Sequence, residues 1–434
     1  MRNLRKKAAV IGMGYVGIPL ACLLAKVGND VVGIDIDVDK IKLLNAGEYP
    51  LKGEEPDLPE LLAEQVKSGA LRASDDFSEC GDAQAVFVCI DTPINDKKEP
   101  RFDHLMDAIN SVGKNISAGA LVVVESTIAP GTMRSKVLPA LEKKSGLKAG
   151  KDLFLAHCPE RVMSGKLLNN LRNVDRILGG FDKRSTEMAV EWYTPIMKAK
   201  LHPTDMTSAE VAKTAENAYR DVQIAFANEV GLICERLGLD AFEVRKLVNT
   251  CPFRDMHVPG AGVGGHCLPK DPWLLAYGGR EAEPKLIPTA REINDSMPAH
   301  VAELAVAAMK EAGVKKGKGT CVAIFGLAFL DNSGDVRNSP ASAVIKLLKD
   351  RYRVIGHDPY VDEFEGVEIV KDLDSALRMA DCAIFLTRHR EYTMLTIDHI
   401  SGLMRHKVIV DGRNSFEKHR AEQLGFSYRG IGKG

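Results

Sequence analysis

The sequence predicts an α/β protein built from two doubly wound domains joined by a long central helix. Three observations predict it. A strand, a glycine-rich turn, a helix and a second strand open the chain. Strand and helix patterns alternate again after Gly313. Between them, a helical pattern runs from about Asp205 to Leu237 with Gly238 as its stop. At 434 residues the chain is too long for one ordinary core. A hydrophobic content of 45% and a charged content of 27% are those of a globular protein. The net charge of -1 gives no basic field for nucleic acid or acidic lipid, and no apolar run approaches the ~20 residues of a membrane span. The N-terminal "MRNLRKKAAVIGMG" reads as a first strand and not a signal peptide. Nine scattered cysteines without a CxxC pair argue against a disulfide framework and a thiolate zinc site, and fit a reducing cytoplasm.

The opening element is the most specific. Ala8–Ile11 is a short buried strand. Gly12, Gly14 and Gly17 then give G-x-G-x-x-G, enclosing Tyr15 and Val16, and a helical pattern follows to Lys26. The strand "DVVGID" closes on Asp35. In that context the glycines are a dinucleotide fingerprint of Rossmann type. Gly12 permits the tight turn, Gly14 lets backbone N–H groups approach a pyrophosphate at a helix N-terminus, and Gly17 lets helix and strand pack closely. Asp35 can accept from both ribose hydroxyls and repels a 2′-phosphate, so NAD is expected over NADP. The later strands "AVFVCIDTP" and "ALVVVESTIAPGT" end near Thr92 and at Ser126–Thr127. Ligands lie beyond the carboxyl ends of parallel strands, so both threonines are candidates for the cofactor crevice, with a turn or helix-cap hydroxyl as the other reading. Glu160 and Arg161 stand at the end of "DLFLAHCPERV". There Glu160 is either a base or a cap for the next helix.

On the central helix, Lys213 and Asn217 are spaced i, i+4 and share one face. They are either functional or a solvated surface pair. A long helix between two domains is also a natural spacer and dimer surface. Beyond Gly313, "CVAIF", "YRVIGHDPYV", "ADCAIFLTRH" and "HKVIVDGRN" are strands alternating with helices, without a second G-x-G-x-x-G. The expected division is 1–200 for a Rossmann domain, 201–312 for a central helical region and 313–434 for a second Rossmann-like domain. Two such domains joined by a helix are expected to make a cleft.

The segment "PGAGVGGHCLPKDPW", Pro259–Trp273, strips the backbone bare before Cys267. A metal reading of His266–Cys267 lacks further ligands at a recognisable spacing. A thiol nucleophile needs cationic or helix-dipole help to form thiolate. Lys270, Lys213 and backbone N–H groups are the candidates. Bare glycines would let a bulky substrate lie against the main chain. A nicotinamide site plus a nucleophilic cysteine fits a double oxidation. An alcohol becomes an aldehyde, a thiolate adds to it, the thiohemiacetal gives up a second hydride, and water releases the acid from the thioester.

The chain resembles the nucleotide-sugar 6-dehydrogenases, the UDP-glucose and UDP-N-acetylhexosamine dehydrogenase family. The resemblance rests on "GMGYVGIPLA", "STIAPGT", "CPERV", "AEVAKTAENAYRDV", "GVGGHCLPKDPW", "GDVRNSPA", "DPYV" and "FSYRGIGKG", in order along nearly the whole chain. It implies an NAD-dependent oxidation of a UDP-sugar C6 alcohol to the uronic acid, with Cys267 as nucleophile. Lys213 and Asn217 would stabilise oxyanions, Asp271 would assist water or the lysine, Glu160 would be the base of thioester hydrolysis, and Thr127 would hold the water or the nicotinamide side. Gly12, Gly14, Tyr15, Val16, Gly17, Asp35, Thr92, Thr127 and Arg337 would bind NAD. Substrate contacts would come from Glu160, Arg161, Lys213, Asn217, Arg254, His257, Gly264, Phe329 and Arg413, with Arg254 reaching a neighbouring site in a homodimer or larger assembly. The second Rossmann-like domain would hold UDP. Departures accompany the resemblance. Leu330 stands where many relatives carry lysine, and Ser164 replaces a second glutamate of the glucose type. "GVGGHC" resembles the acetamido-sugar branch, whereas Lys270 is similar to the glucose type. The expected substrate is UDP-N-acetylmannosamine, followed by UDP-N-acetylglucosamine, UDP-N-acetylgalactosamine and UDP-glucose. Two other readings compete. A two-electron hydroxyacid or phosphogluconate dehydrogenase does not need Cys267, and a non-catalytic nucleotide-sugar sensor does not need Lys213, Asn217 and Cys267.

Overall fold

A computed structural model describes residues 5–51, 55–163 and 165–434. The chain forms two compact units. One comprises the chain through Glu216 together with Trp273–Glu283, the other Asn217–Pro272 with Pro284–Gly434.

The first unit is built on eight strands: β1 (Lys7–Ile11), β2 (Asp30–Ile34), β3 (Leu71–Ser74), β4 (Ala85–Val88), β5 (Leu121–Val124), β6 (Phe154–His157), β7 (Arg176–Gly180) and β8 (Leu201–Asp205). Their order is β3-β2-β1-β4-β5-β6-β7-β8. Strands β1, β4 and β5 are Ala/Val/Ile/Leu/Phe runs buried on both faces, the composition of parallel strands covered by helices. All neighbours pair parallel except β6 with β7. The strand order reverses between β1 and β4, which opens the ligand crevice of such sheets at the glycine turn after β1.

The second sheet repeats the plan with β9 (Cys321–Phe325), β10 (Arg353–His357), β11 (Glu368–Ile369), β12 (Cys382–Phe385), β13 (Val408–Asp411) and β14 (Ser427–Gly430), all parallel in the order β11-β10-β9-β12-β13-β14. Both doubly wound domains and the joining helix therefore match the fold class expected from sequence. The central helix is Met206–Leu237, and a second long helix, the return helix, spans Leu286–Glu311. Strands β3, β7 and β8 escaped the sequence reading for a physical reason. They carry few consecutive apolar residues, and β8 is an edge strand that tolerates Pro203. Among the described residues no helix is long and apolar enough to cross a membrane.

Candidate active site

In the first unit the glycine turn is a cradle. Gly12 has φ +89°, and a Cβ there would lie 2.7 Å from the Cys89 carbonyl oxygen. A Cβ on Gly17 would lie 1.9 Å from the Gly12 oxygen, so this crossing of helix and turn admits only glycine. Around Gly14 nothing lies within 4 Å of that position, which leaves the turn open where a pyrophosphate would sit. Asp35 closes β2 and accepts from Met13 N at 2.8 Å and Asp37 N at 3.0 Å, with Lys40 Nζ 2.9 Å away. Tyr15 and Val16 lie half-buried in the turn. Thr92 and Thr127, in the loops that follow β4 and β5, meet: the Thr92 hydroxyl donates to the Thr127 carbonyl. The Thr127 hydroxyl is buried without a protein partner. An orphaned hydroxyl at the carboxyl ends of β4 and β5 and an uncovered glycine turn after β1 fit a dinucleotide.

Glu160 does not cap the next helix, which begins at Leu167. One carboxylate oxygen accepts from Val162 N at 2.6 Å, and the other lies 4.0 Å from Lys213 Nζ. Lys213 is only 4% exposed, so it is not part of a solvated surface pair. Arg161 is held by the Asp175 carbonyl at 2.7 Å and by Glu216 at 2.6 Å. Ser164 lies outside the described residues.

In the second unit Asp271 is fully buried and bridges two side chains. It accepts from Asn217 Nδ2 at 2.6 Å and from Lys270 Nζ at 2.9 Å. The Cys267 carbonyl accepts from Lys270 N and Asp271 N, which places the cysteine one turn before the helix Asp271–Gly278. That is where N–H groups and the helix dipole favour a thiolate. The glycines before it face protein. A Cβ on Gly264 would lie 2.4 Å from Phe329 Cβ, and Gly265, at φ +91°, has the Phe329 ring 2.9 Å from the same position. At these two glycines the Cβ side is filled by Phe329 of the same unit. Arg337 folds back onto Asp335, with Nε 2.9 Å from the carboxylate, while Arg413 lies 3.4 Å from Asp331. Arg254 is exposed, His257 half-buried, and Leu330 37% exposed.

Several polar groups beneath the site escaped the sequence reading. Glu125, directly before Ser126–Thr127, is fully buried and bonds Arg176 and the Tyr193 hydroxyl. The available signal was an acid closing the apolar run "ALVVV". Glu210, four residues before Thr214 on the central helix, accepts from Gly131 N and Met133 N, both at 2.7 Å. It thereby ties the helix to the loop that carries Thr127.

Glu210 and His157, a buried histidine that ends β6, act oppositely on stability. Burial pushes the Glu210 carboxyl up to about 7 against its two N–H donors. Burial pushes His157 down to about 3, and its Nδ1–H donates to the Val124 carbonyl at 2.9 Å. A raised acid binds protons more tightly when folded, so its contribution is full below about pH 4.5 and is lost as pH rises to about 7. A depressed imidazole leaves the unfolded chain binding the extra proton, so its contribution is lost as pH falls from about 6.5 to about 3. Each window carries a slope of about 1.4 kcal/mol per pH unit, of opposite sign, and the two cancel where they overlap. Glu210→Gln is expected to leave a stability that rises with pH between 5 and 6.5, and His157→Gln one that falls. Urea unfolding across that range measures both.

Three consecutive domain descriptions of one family match the chain. Its NAD binding domain matches residues 6–197, its central domain 207–296 and its UDP binding domain 323–418. The chain belongs to the UDP-glucose/GDP-mannose dehydrogenase family. It is an NAD-dependent oxidoreductase of the nucleotide-sugar dehydrogenase kind. Among its relatives, a UDP-N-acetyl-D-mannosamine dehydrogenase of Pyrococcus horikoshii is 37% identical over 99% of both chains. A solved structure of the UDP-N-acetylmannosamine dehydrogenase from that organism superposes with a TM-score of 0.90. The structure of an NDP-N-acetyl-D-galactosaminuronic acid dehydrogenase from Methanosarcina mazei is 44% identical, covers 100% of this chain and 96% of its own, and has a TM-score of 0.88. A UDP-glucose dehydrogenase from Pyrobaculum islandicum is 29% identical, over 100% of this chain and 99% of its own, with a TM-score of 0.85. The dehydrogenase family thus matches the resemblance read from the motifs, and the sensor reading falls.

Proposed function

We propose that the chain oxidises the C6 alcohol of UDP-N-acetyl-D-mannosamine to the uronic acid through a covalent adduct on Cys267. The observation that carries this is the setting of Cys267: one turn before a helix, next to a buried carboxylate that bridges Asn217 and Lys270. When bound, NAD supplies the hydride acceptor for each of the two oxidations. Lys213, buried and 4.0 Å from Glu160, stabilises the alkoxide of the first oxidation and the oxyanions that follow. The Cys267 thiolate adds to the aldehyde carbon, forming a C–S bond. Loss of the second hydride leaves a thioester. Glu160 takes a proton from water, hydroxide adds to the thioester carbonyl, and the C–S bond breaks to give the thiolate and the carboxylic acid, which loses its proton to solvent. Asn217 donates to the adduct oxygens, its amide oriented by Asp271. Gly12, Gly14, Tyr15, Val16, Gly17, Asp35, Thr92, Thr127 and Arg337 serve the cofactor. Arg161, Arg254, His257, Gly264, Phe329 and Arg413 serve the substrate, with UDP in the second doubly wound domain.

Purified protein is offered UDP-N-acetylmannosamine, UDP-N-acetylgalactosamine, UDP-N-acetylglucosamine and UDP-glucose separately, and NADH is counted per sugar consumed. The expected result is two NADH with UDP-N-acetylmannosamine. One NADH would remove the covalent scheme. Turnover of the galactosamine sugar alone would favour the second reading, which the 44% identity to the Methanosarcina mazei enzyme supports.

The assembly proposed is a homodimer through the central helix, in the cytoplasm. Tyr219, Phe226 and Ile233 recur every seven residues on that helix and are exposed, a stripe suited to a matching helix. Phe226→Glu is expected to halve the mass seen by light scattering. An unchanged mass would place the interface elsewhere.

A further inference from the structure

Behind the glycine loop of the second unit lies a chain of buried polar groups that the chemistry above does not use. Arg291 of the return helix donates to Asp221 Oδ1 of the central helix at 2.5 Å. Asn294 Nδ2 donates to the same oxygen at 2.8 Å and to the Asp221 carbonyl at 3.0 Å. Asn228 Nδ2 donates to Asn294 Oδ1 at 2.8 Å, and Asn228 Oδ1 accepts from Gly260 N at 2.8 Å. All four side chains are buried to 1% exposure or less. The donors run one way, from Gly260 N to Asn228, from Asn228 to Asn294 and from Asn294 to Asp221, where Arg291 closes the ladder while also pairing with Asp295 on its own helix; the other end is the backbone of the loop that carries Cys267.

Helix-to-helix adhesion does not account for it. A buried ion pair holds two helices no better than apolar residues of similar size, and here Asp221 Oδ2 and Arg291 Nε are left without partners. What an apolar pair cannot do is fix one N–H in space. Gly260 has no side chain by which packing could hold it. From Gly260 the loop runs over Pro298 of the same return helix, which lies 3.1 Å from a Cβ position on Gly262. It is fastened again at Gly265, which donates to the Arg337 carbonyl at 2.8 Å and accepts from Asn338 Nδ2 at 2.9 Å. The ladder holds the foot of the loop, and the 329–338 segment holds it just before the cysteine.

We propose that the Asp221–Asn294–Asn228 ladder is a positioning device that pins the foot of the glycine loop at Gly260 and so sets how Cys267 is presented. The inference rests on the reading of Cys267 as the nucleophile. An error of about 1 Å in a nucleophile's placement costs about a hundredfold in rate, which is the scale on which such a pin acts.

The test uses Asn228→Leu, which removes both bonds, and Asn228→Asp, which keeps the acceptor for Gly260 N and loses the donor to Asn294. Two readouts are taken on the full chain: iodoacetamide alkylation of Cys267 followed by peptide mass spectrometry, with exposed Cys251 as internal reference, and kcat against KM with the nucleotide sugar. In Asn228→Leu, alkylation of Cys267 relative to Cys251 is expected to slow at least about fivefold as the thiol leaves the helix terminus. Its kcat is expected to fall at least about tenfold with KM little changed. Asn228→Asp is expected to recover most of both. A lowered melting temperature with Cys267 alkylation and kcat as in the unaltered protein would overturn the proposal. Should Asn228→Leu fail to fold, Asn294→Ser is read in the same two ways. If alkylation of Cys267 leaves the unaltered enzyme active, the nucleophile reading fails, while the alkylation rates still decide whether the ladder positions the loop.

Discussion

Cys267→Ser is expected to lower acid formation by at least about a thousandfold, a loss typical of removing a covalent nucleophile. The reason lies in acidity. A thiol is several orders of magnitude more acidic than a hydroxyl, and its place one turn before a helix favours the thiolate further, whereas serine at the same place remains a neutral and far weaker nucleophile. The hydroxyl is also smaller, so the variant leaves the loop conformation in place, with Gly264 and Gly265 still against Phe329. The first oxidation needs only a base and a hydride acceptor, so one NADH per sugar is expected to form slowly, with aldehyde trapped by an added hydrazine. Mass spectrometry of the unaltered enzyme, quenched during turnover, should find the uronyl group on the Cys267 peptide and nowhere else. Two NADH per sugar from Cys267→Ser would end the covalent scheme and leave a hydrated aldehyde as the intermediate.

What the sequence disclosed and what it withheld follow from distance along the chain. The glycine turn, Asp35 and the i, i+4 pair Lys213 and Asn217 are local patterns, and each could be placed on its element. The placing of Thr92 and Thr127 beyond strand ends followed from the rule that ligands lie at the carboxyl ends of parallel strands, whereas the bond between them is seen only in the fold. The polar chain from Asp221 to Gly260 joins residues 32 to 73 positions apart, and no period in the sequence announces it. The same holds for Glu125, whose partners Arg176 and Tyr193 lie 51 and 68 residues away on an antiparallel strand and a helix. The glycines before Cys267 were read as room for a substrate against the main chain, and the side chain that packs on Gly264 and Gly265 could not be read. Phe329 lies 65 residues beyond Gly264, and only the fold brings it to that backbone.

The buried Glu125 cluster gives the second large expected effect, on stability. Arg176, which opens β7, donates to Glu125 and also to the Cys158 carbonyl at 2.7 Å, and its guanidinium lies 5.0 Å from the Tyr193 ring centroid. Glu125 precedes Ser126–Thr127, and its carbonyl accepts from Glu160 N at 3.2 Å. The cluster therefore lies under both the Thr127 and the Glu160 loops. Arg176→Leu strands a carboxylate in the interior and is expected to cost about 3–5 kcal/mol in urea unfolding at pH 7.5. Glu125→Gln added to it removes the stranded charge and keeps an acceptor for Tyr193, so most of that loss should return. Burial already holds the Glu125 carboxyl above its ordinary value in spite of Arg176. Without the arginine it rises further. A raised acid destabilises the folded chain only above its unfolded value, so the deficit of Arg176→Leu should shrink as pH falls toward 5, while that of the double variant should stay flat. Activity separates the two roles. In both variants the Cys158 carbonyl loses its donor just before Pro159–Glu160, so kcat should remain low in the double variant even where stability returns. A double variant recovered in both would make the cluster a matter of folding alone.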